Sequence, residues 1–65
     1  MIEKELMRKL QNREFGNIWN CGPDYDIYKI YLNDGSIARI SEKDFMSILD
    51  KDEDLFDDMN DKLQN

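Results

Sequence analysis

The chain has 65 residues, with 9 basic and 15 acidic side chains for a net charge of −6, no histidine, one cysteine and seven aromatic residues. So short a chain is read as one domain, residues 1–65, with little room for both a core and an enclosed active site. Within one chain the composition excludes His/Cys metal centres, Ser–His or Cys–His nucleophilic pairs and a disulfide.

Apolar runs fall far short of the ~18–20 residues that span a bilayer. Met1-Ile2-Glu3-Lys4-Glu5 lacks a basic-then-apolar leader pattern, so a soluble, cytoplasmic protein is expected. Ile2, Leu6 and Leu10, with Met7 beside them, form one apolar stripe and predict a helix over 2–11. Arg8 and Lys9 suit its C-terminal end, and Asn12 is placed to stop it.

Phe15 to Asn20 reads as a short strand, weakened by Gly16. Cys21-Gly22-Pro23-Asp24 is a turn cluster. Tyr25 to Leu32 is rich in Tyr and Ile and reads as a second strand. Its alternation puts Tyr28, Ile30 and Leu32 on one face, and Tyr25, Ile27, Lys29 and Tyr31 on the other. Asn33-Asp34-Gly35-Ser36 predicts a type I′ hairpin into a third strand over Ser36–Ile40.

Ser41, with Asp44 three residues on, marks a helix start as a variant capping box. Phe45, Ile48 and Leu49 form that helix's apolar face, and Asp50-Lys51-Asp52 ends it. Asp50 or Asp52 then caps a last helix over 52–63, with Leu55, Phe56, Met59 and Leu63 on one side. The order is α-β-β-β-α-α, an α+β domain with helices on one face of a three-stranded antiparallel sheet.

The charge is concentrated. Residues 1–33 hold five acids and five bases, whereas residues 34–65 hold ten acids and four bases. The whole excess therefore lies in the second half. Such a field disfavours direct nucleic-acid binding and favours a basic protein partner. Asp54, Asp57, Asp58 and Asp61 fall opposite the apolar stripe of the last helix. They span about 10.5 Å at 1.5 Å per residue, about one charge per 2.6 Å. Duplex DNA carries about one per 1.7 Å of axis. A row of this density can imitate phosphates to a protein built to bind DNA. Acids opposite an apolar stripe are also what any solvated helix face shows. Here, however, they repel one another, and no base interrupts them before Lys62.

Asp50 to Asp54 looks like the start of a calcium loop, but Leu55 stands where that loop needs glycine and Asp61 where it needs glutamate. No metal or other cofactor is expected. Cys21 reads as a small packed residue. Trp19 and the tyrosines read as core or sheet-face residues, the Tyr25/Tyr31 face being a candidate partner or dimer surface. Nothing buries a carboxylate pair in a cleft, so no enzyme is expected.

Three stretches resemble the small acidic type II-A anti-CRISPR proteins of Listeria prophages. Leu6 to Phe15 is similar to that family's opening helix, with Leu6, an apolar residue, Arg8, then Asn12, Arg13, Glu14 and Phe15. Asn33-Asp34-Gly35, followed by Ile40-Ser41-Glu42, resembles its hairpin and the strand leading to the next helix. Asp52-Glu53-Asp54, Phe56 and Asp58-Met59 resemble its acidic last helix. Together the stretches cover roughly half of the chain, in the family's order. The chain is shorter than the family pattern between Glu42 and Lys51, and Ile37 stands where an acid is expected.

The resemblance implies a DNA mimic encoded by a phage or prophage. It would bind the guide-loaded type II CRISPR nuclease, occupy its basic PAM-reading cleft and exclude target DNA. It implies contacts through Asp52, Glu53, Asp54 and Asp58, through Asn33, Asp34, Gly35 and Ser36 of the hairpin, and through Glu14. The same acidic design suits other basic targets, such as a nucleoid protein, RNA polymerase, or a restriction or repair enzyme. The reading of a different class is a small non-enzymatic interaction module, monomeric or homodimeric, whose acids serve solubility.

Overall fold

A computed structural model describes residues 1–64. The elements are α1 (Lys4–Gln11), β1 (Phe15–Cys21), β2 (Ile27–Leu32), β3 (Ile37–Ser41), α2 (Glu42–Lys51), α3 (Glu53–Asp61) and β4 (Leu63–Gln64). The expected α+β order is found, but the sheet has four strands rather than three, in the order β3-β2-β1-β4.

The added strand corrects the reading of the last helix. α3 stops at Asp61, and Leu63 leaves the helix to pair in parallel with Ile18, with Gln64 beside Trp19. The Ile18 amide donates to the Lys62 carbonyl at 3.1 Å. β1 would otherwise present an unpaired edge there, and a backbone donor with no partner is costly. Leu63 still packs against the core, so its apolar character is used, but from a strand.

Phe15 and Ile18 are both buried although they stand three residues apart. Strict alternation would send one outward. Phe15 pairs with Leu32 and Ile18 with Ile30, so β1 spends one more residue than β2 over this step. The bulge lies at Gly16-Asn17, which explains a glycine inside a strand. The β1–β2 connection is also wider than expected. Cys21 belongs to β1, and Tyr25 lies outside β2, in a left-handed conformation with φ 55°. Tyr25 is therefore not a sheet-face residue.

The β2–β3 hairpin is not type I′. That turn needs positive φ at both central residues, yet Gly35 has φ 90° and Asp34 is not in the positive region. The Gly35 amide donates to the Leu32 carbonyl at 3.1 Å, and the Leu32 amide to the Ser36 carbonyl at 2.9 Å. This is a three-residue loop in which a type I turn is followed by a left-handed glycine.

Side chains cap the helices largely where the sequence places them. The Ser41 hydroxyl accepts from the Asp44 amide at 3.1 Å, and Asp52 accepts from the Leu55 amide at 3.1 Å. The second half of the expected capping box is not formed, because the Asp44 carboxylate lies 3.1 Å from the amino group of Met1 instead. Glu3 caps α1, which leaves Ile2 outside the helix but still buried.

α1 ends at Asn12 with Arg13 in the left-handed region at φ 60°. The Arg13 amide donates to the Leu10 carbonyl and the Glu14 amide to the Lys9 carbonyl, each at 2.9 Å. That is the paired bonding of a Schellman motif, where glycine is preferred. An L side chain there costs about 1 kcal/mol. Arg13 offsets some of it by reaching Asp58 at 2.6 Å, an exposed pair worth about 0.2–1 kcal/mol. We expect Arg13→Gly to be as stable as the parent or up to about 1 kcal/mol more so, and Arg13→Ala to lose about 0.5–1 kcal/mol, in urea unfolding. A larger loss for glycine than for alanine would show that the side chain outweighs the backbone.

All three helices pack on one sheet face. Leu10 of α1, Phe45 and Ile48 of α2, and Leu55, Phe56 and Met59 of α3 join Ile18, Tyr28, Ile30 and Ile40 in one cluster. Phe45 is its centre. Its ring stacks on Tyr28 with centroids 4.0 Å apart and meets Phe56 at 5.1 Å. Leu49, expected in this face, lies at the rim of α2 and is 37 % exposed.

Candidate partner-binding acidic face

α3 is amphipathic in the expected sense. Leu55, Phe56 and Met59 are buried, while Glu53, Asp54, Asp57, Asp58 and Asp61 are exposed. Asp57 has like charges four residues away on both sides, Glu53 and Asp61. Such pairs each destabilise a helix by about 0.2–0.5 kcal/mol. The last turn holds no base, and Asp58 and Asp61 sit at the helix end whose dipole disfavours anions. The C-terminal part of the row, Asp57 to Asp61, is thus held against local energetics, whereas Glu53 and Asp54 stand in the first turn, where the dipole favours anions.

The structure sorts the expected site residues into three groups. Asp52 is partly buried and caps α3, so its carboxylate is committed to the fold. Asp34 and Asp58 are exposed and Glu14 is half-buried, and all three already face cations. Arg8 Nη1 lies 3.4 Å from Glu14, and Lys9 Nζ 2.9 Å from Asp34. Arg13 Nε lies 2.6 Å from Asp58. Among the described residues, Glu53, Asp54, Asp57 and Asp61 have no cation within 4 Å. These four are the carboxylates open to a partner.

The hairpin and the end of α1 form one corner, since the Asn33 amide donates to the Glu14 carbonyl at 3.1 Å. Asn33, Gly35 and Ser36 are exposed at its tip. Asp34 Oδ1 accepts from the Ser36 hydroxyl at 2.5 Å and the Ser36 amide at 2.9 Å. With Lys9, these bonds hold the Asp34 carboxyl well below the usual carboxylate range, the Ser36 hydroxyl contributing most. The hairpin acid is therefore a clasp between loop and α1. Arg8 similarly lowers Glu5, its Nε and Nη2 donating to the two carboxylate oxygens at 2.9 and 2.8 Å.

The clasp has a pH signature. A carboxyl held below its unfolded value contributes stability that is fully present above that value, about 3.9 for Asp. The contribution is lost as pH falls through the folded value. In an NMR titration we expect the Ser36 amide shift to move with a midpoint well below about 3.9, and Asp34→Asn to abolish that transition. A midpoint at the ordinary value would mean that the clasp is open in solution.

Asp50, Asp52 and Asp54 do not build a calcium loop, because α2 runs to Lys51 and Asp52 caps α3 directly after it. No three carboxylate or thiol groups among the described residues converge as a metal-ligand set. No helix among them is long and apolar enough to cross a membrane. No protein-family model, curated protein or solved structure matches the chain.

Proposed function

We propose that this chain is an acidic DNA mimic that docks on a basic nucleic-acid-binding protein and keeps nucleic acid out of its cleft. The observation that carries the reading is the row Glu53, Asp54, Asp57 and Asp61, exposed on one helix with no cation of the described residues within 4 Å of it. Carboxylates so placed can accept bidentate bonds from arginines that otherwise hold phosphate or guanine. Opposite fields also steer the encounter.

The first target is the guide-loaded type II-A CRISPR nuclease, and the contact is its PAM-reading cleft, where arginines face guanines. Other basic DNA-binding proteins of a bacterial host share that chemistry and form the second rank of targets. The test uses immobilised Listeria nuclease with and without guide RNA. We expect binding to the loaded form, displacement by PAM-containing duplex, and weakening as salt rises. Absence of binding to the loaded nuclease removes this target. Binding that persists in Asp54→Lys/Asp57→Lys removes the acidic face.

A further inference from the structure

The sheet face turned away from the helices carries the opposite charge. In register across it, Gln64 of β4 stands beside Trp19 of β1, Trp19 beside Lys29 of β2, and Lys29 beside Arg39 of β3. Tyr31 is the next outward residue on β2. Four strands at about 4.8 Å spacing make this row about 14 Å wide. Trp19 is 42 % exposed and Tyr31 37 %. Among the described residues no carboxylate lies within 4 Å of the half-buried Lys29 or the exposed Arg39, as also holds for Lys4, Lys43, Lys51 and Lys62, whereas Arg8, Lys9 and Arg13 are paired.

Like charges directly opposite on neighbouring strands destabilise a sheet. The cation–π contact of Lys29 Nζ, 5.8 Å from the Tyr31 ring centroid, offsets part of that cost. Two cations side by side, flanked by two exposed rings, suit an anion with flat faces.

We propose that this face binds single-stranded nucleic acid, with phosphates on Lys29 and Arg39 and bases stacked on Trp19 and Tyr31. Open sheets bind single strands by this combination of positive groove and aromatic platform. The net charge of the chain does not forbid it. The α3 acids point away from the core on the far side of the helix layer, and a helix with its side chains is about 10–12 Å thick. The shortest dimension of the molecule is 21 Å. At 0.1 M salt the Debye length is about 10 Å, so the far row is largely screened. The acids nearest in sequence, Asp26, Asp34 and Glu42, each stand three residues from Lys29, Tyr31 or Arg39 and lie beyond the strand ends: the Glu42 amide donates to the Asp26 carbonyl at 2.8 Å at one end of the sheet, and Asp34 pairs with Lys9 in the hairpin at the other. A second copy stacked face to face would press four cations together, which favours the anionic occupant over a symmetric dimer.

Trp19 is the only tryptophan, so its fluorescence reports this face directly. The probe is a twelve-nucleotide oligothymidylate titrated into the full chain. We expect saturable quenching, with the association constant falling with salt at a log–log slope of about −1.4, the value for two phosphates on a single strand. Tyr31→Leu should weaken binding about tenfold, as expected for one lost stacked base. Arg39→Glu should abolish it while raising thermal stability, because it places opposite charges across β2 and β3. Asp54→Lys/Asp57→Lys should bind the oligonucleotide at least as tightly as the parent, which separates this face from the acidic one. No quenching, or unchanged binding in Arg39→Glu, overturns the proposal. Equal quenching by poly-L-glutamate would assign the face to an acidic protein instead. A concentration-dependent emission shift without oligonucleotide would assign it to a second copy.

Discussion

Replacing Phe45 by alanine should leave the chain largely unfolded at 37 °C. The side chain is 2 % exposed and joins three elements, with Tyr28 of β2 stacked on one side and Phe56 of α3 against its edge. Removing a buried phenylalanine costs about 3–5 kcal/mol. At about 0.05–0.15 kcal/mol per residue, a domain of this length has only about 3–10 kcal/mol in total. The loss is therefore of the same size as the whole stability. Circular dichroism on heating should show a shallow or absent transition, whereas Phe45→Leu, which keeps most of the volume, should lose no more than about 1.5 kcal/mol. A cooperative Phe45→Ala transition within about 1 kcal/mol of the parent would show that the aromatic trio is not the centre of the core.

The second large effect is on binding. Asp54→Lys/Asp57→Lys should weaken attachment to the guide-loaded nuclease by close to a thousandfold. Loss of a contacting charge pair costs about 2 kcal/mol or more, and two such losses exceed two decades in affinity. The choice of residues follows from the structure. Asp58 is also in the row, but it pairs with Arg13, so reversing it would set two cations together and mix a folding defect with a binding defect. Asp57 lies four residues from both Glu53 and Asp61, so lysine there gains favourable pairs. Lysine at position 54 meets the positive end of the helix dipole and loses about 0.3–1 kcal/mol. The two changes nearly cancel in stability. Unchanged thermal unfolding with lost binding is the expected result, and equal affinity for parent and variant would rule out the acidic face as the contact.

Much of the fold was legible because its signals are local. Apolar spacing places α1, α2 and α3, and alternation orders Tyr28, Ile30 and Lys29 across β2. Ser41 and Asp52 announce helix starts by an interaction reaching three residues. Asp34-Gly35 marks the hairpin, although the turn type depended on which of the two took positive φ, and only Gly35 did. Gly16 marked a weak point in the first strand, and the bulge at Gly16-Asn17 that accounts for it needed the register against β2.

Composition and spacing by themselves determined an acidic α+β domain with a carboxylate row opposite the apolar stripe of the last helix. What the tertiary structure decided is which charges remain available. Lys9 meets Asp34 across 25 residues and Arg13 meets Asp58 across 45, so three of the expected contact acids, Glu14 included, are already answered from within. Local spacing cannot show this, since an ion pair needs two segments brought together by the core. The same holds for β4, two residues recruited by the open edge of β1, and for the row of Trp19, Lys29 and Arg39. Those three are remote in sequence and become one surface only because strand register sets them side by side.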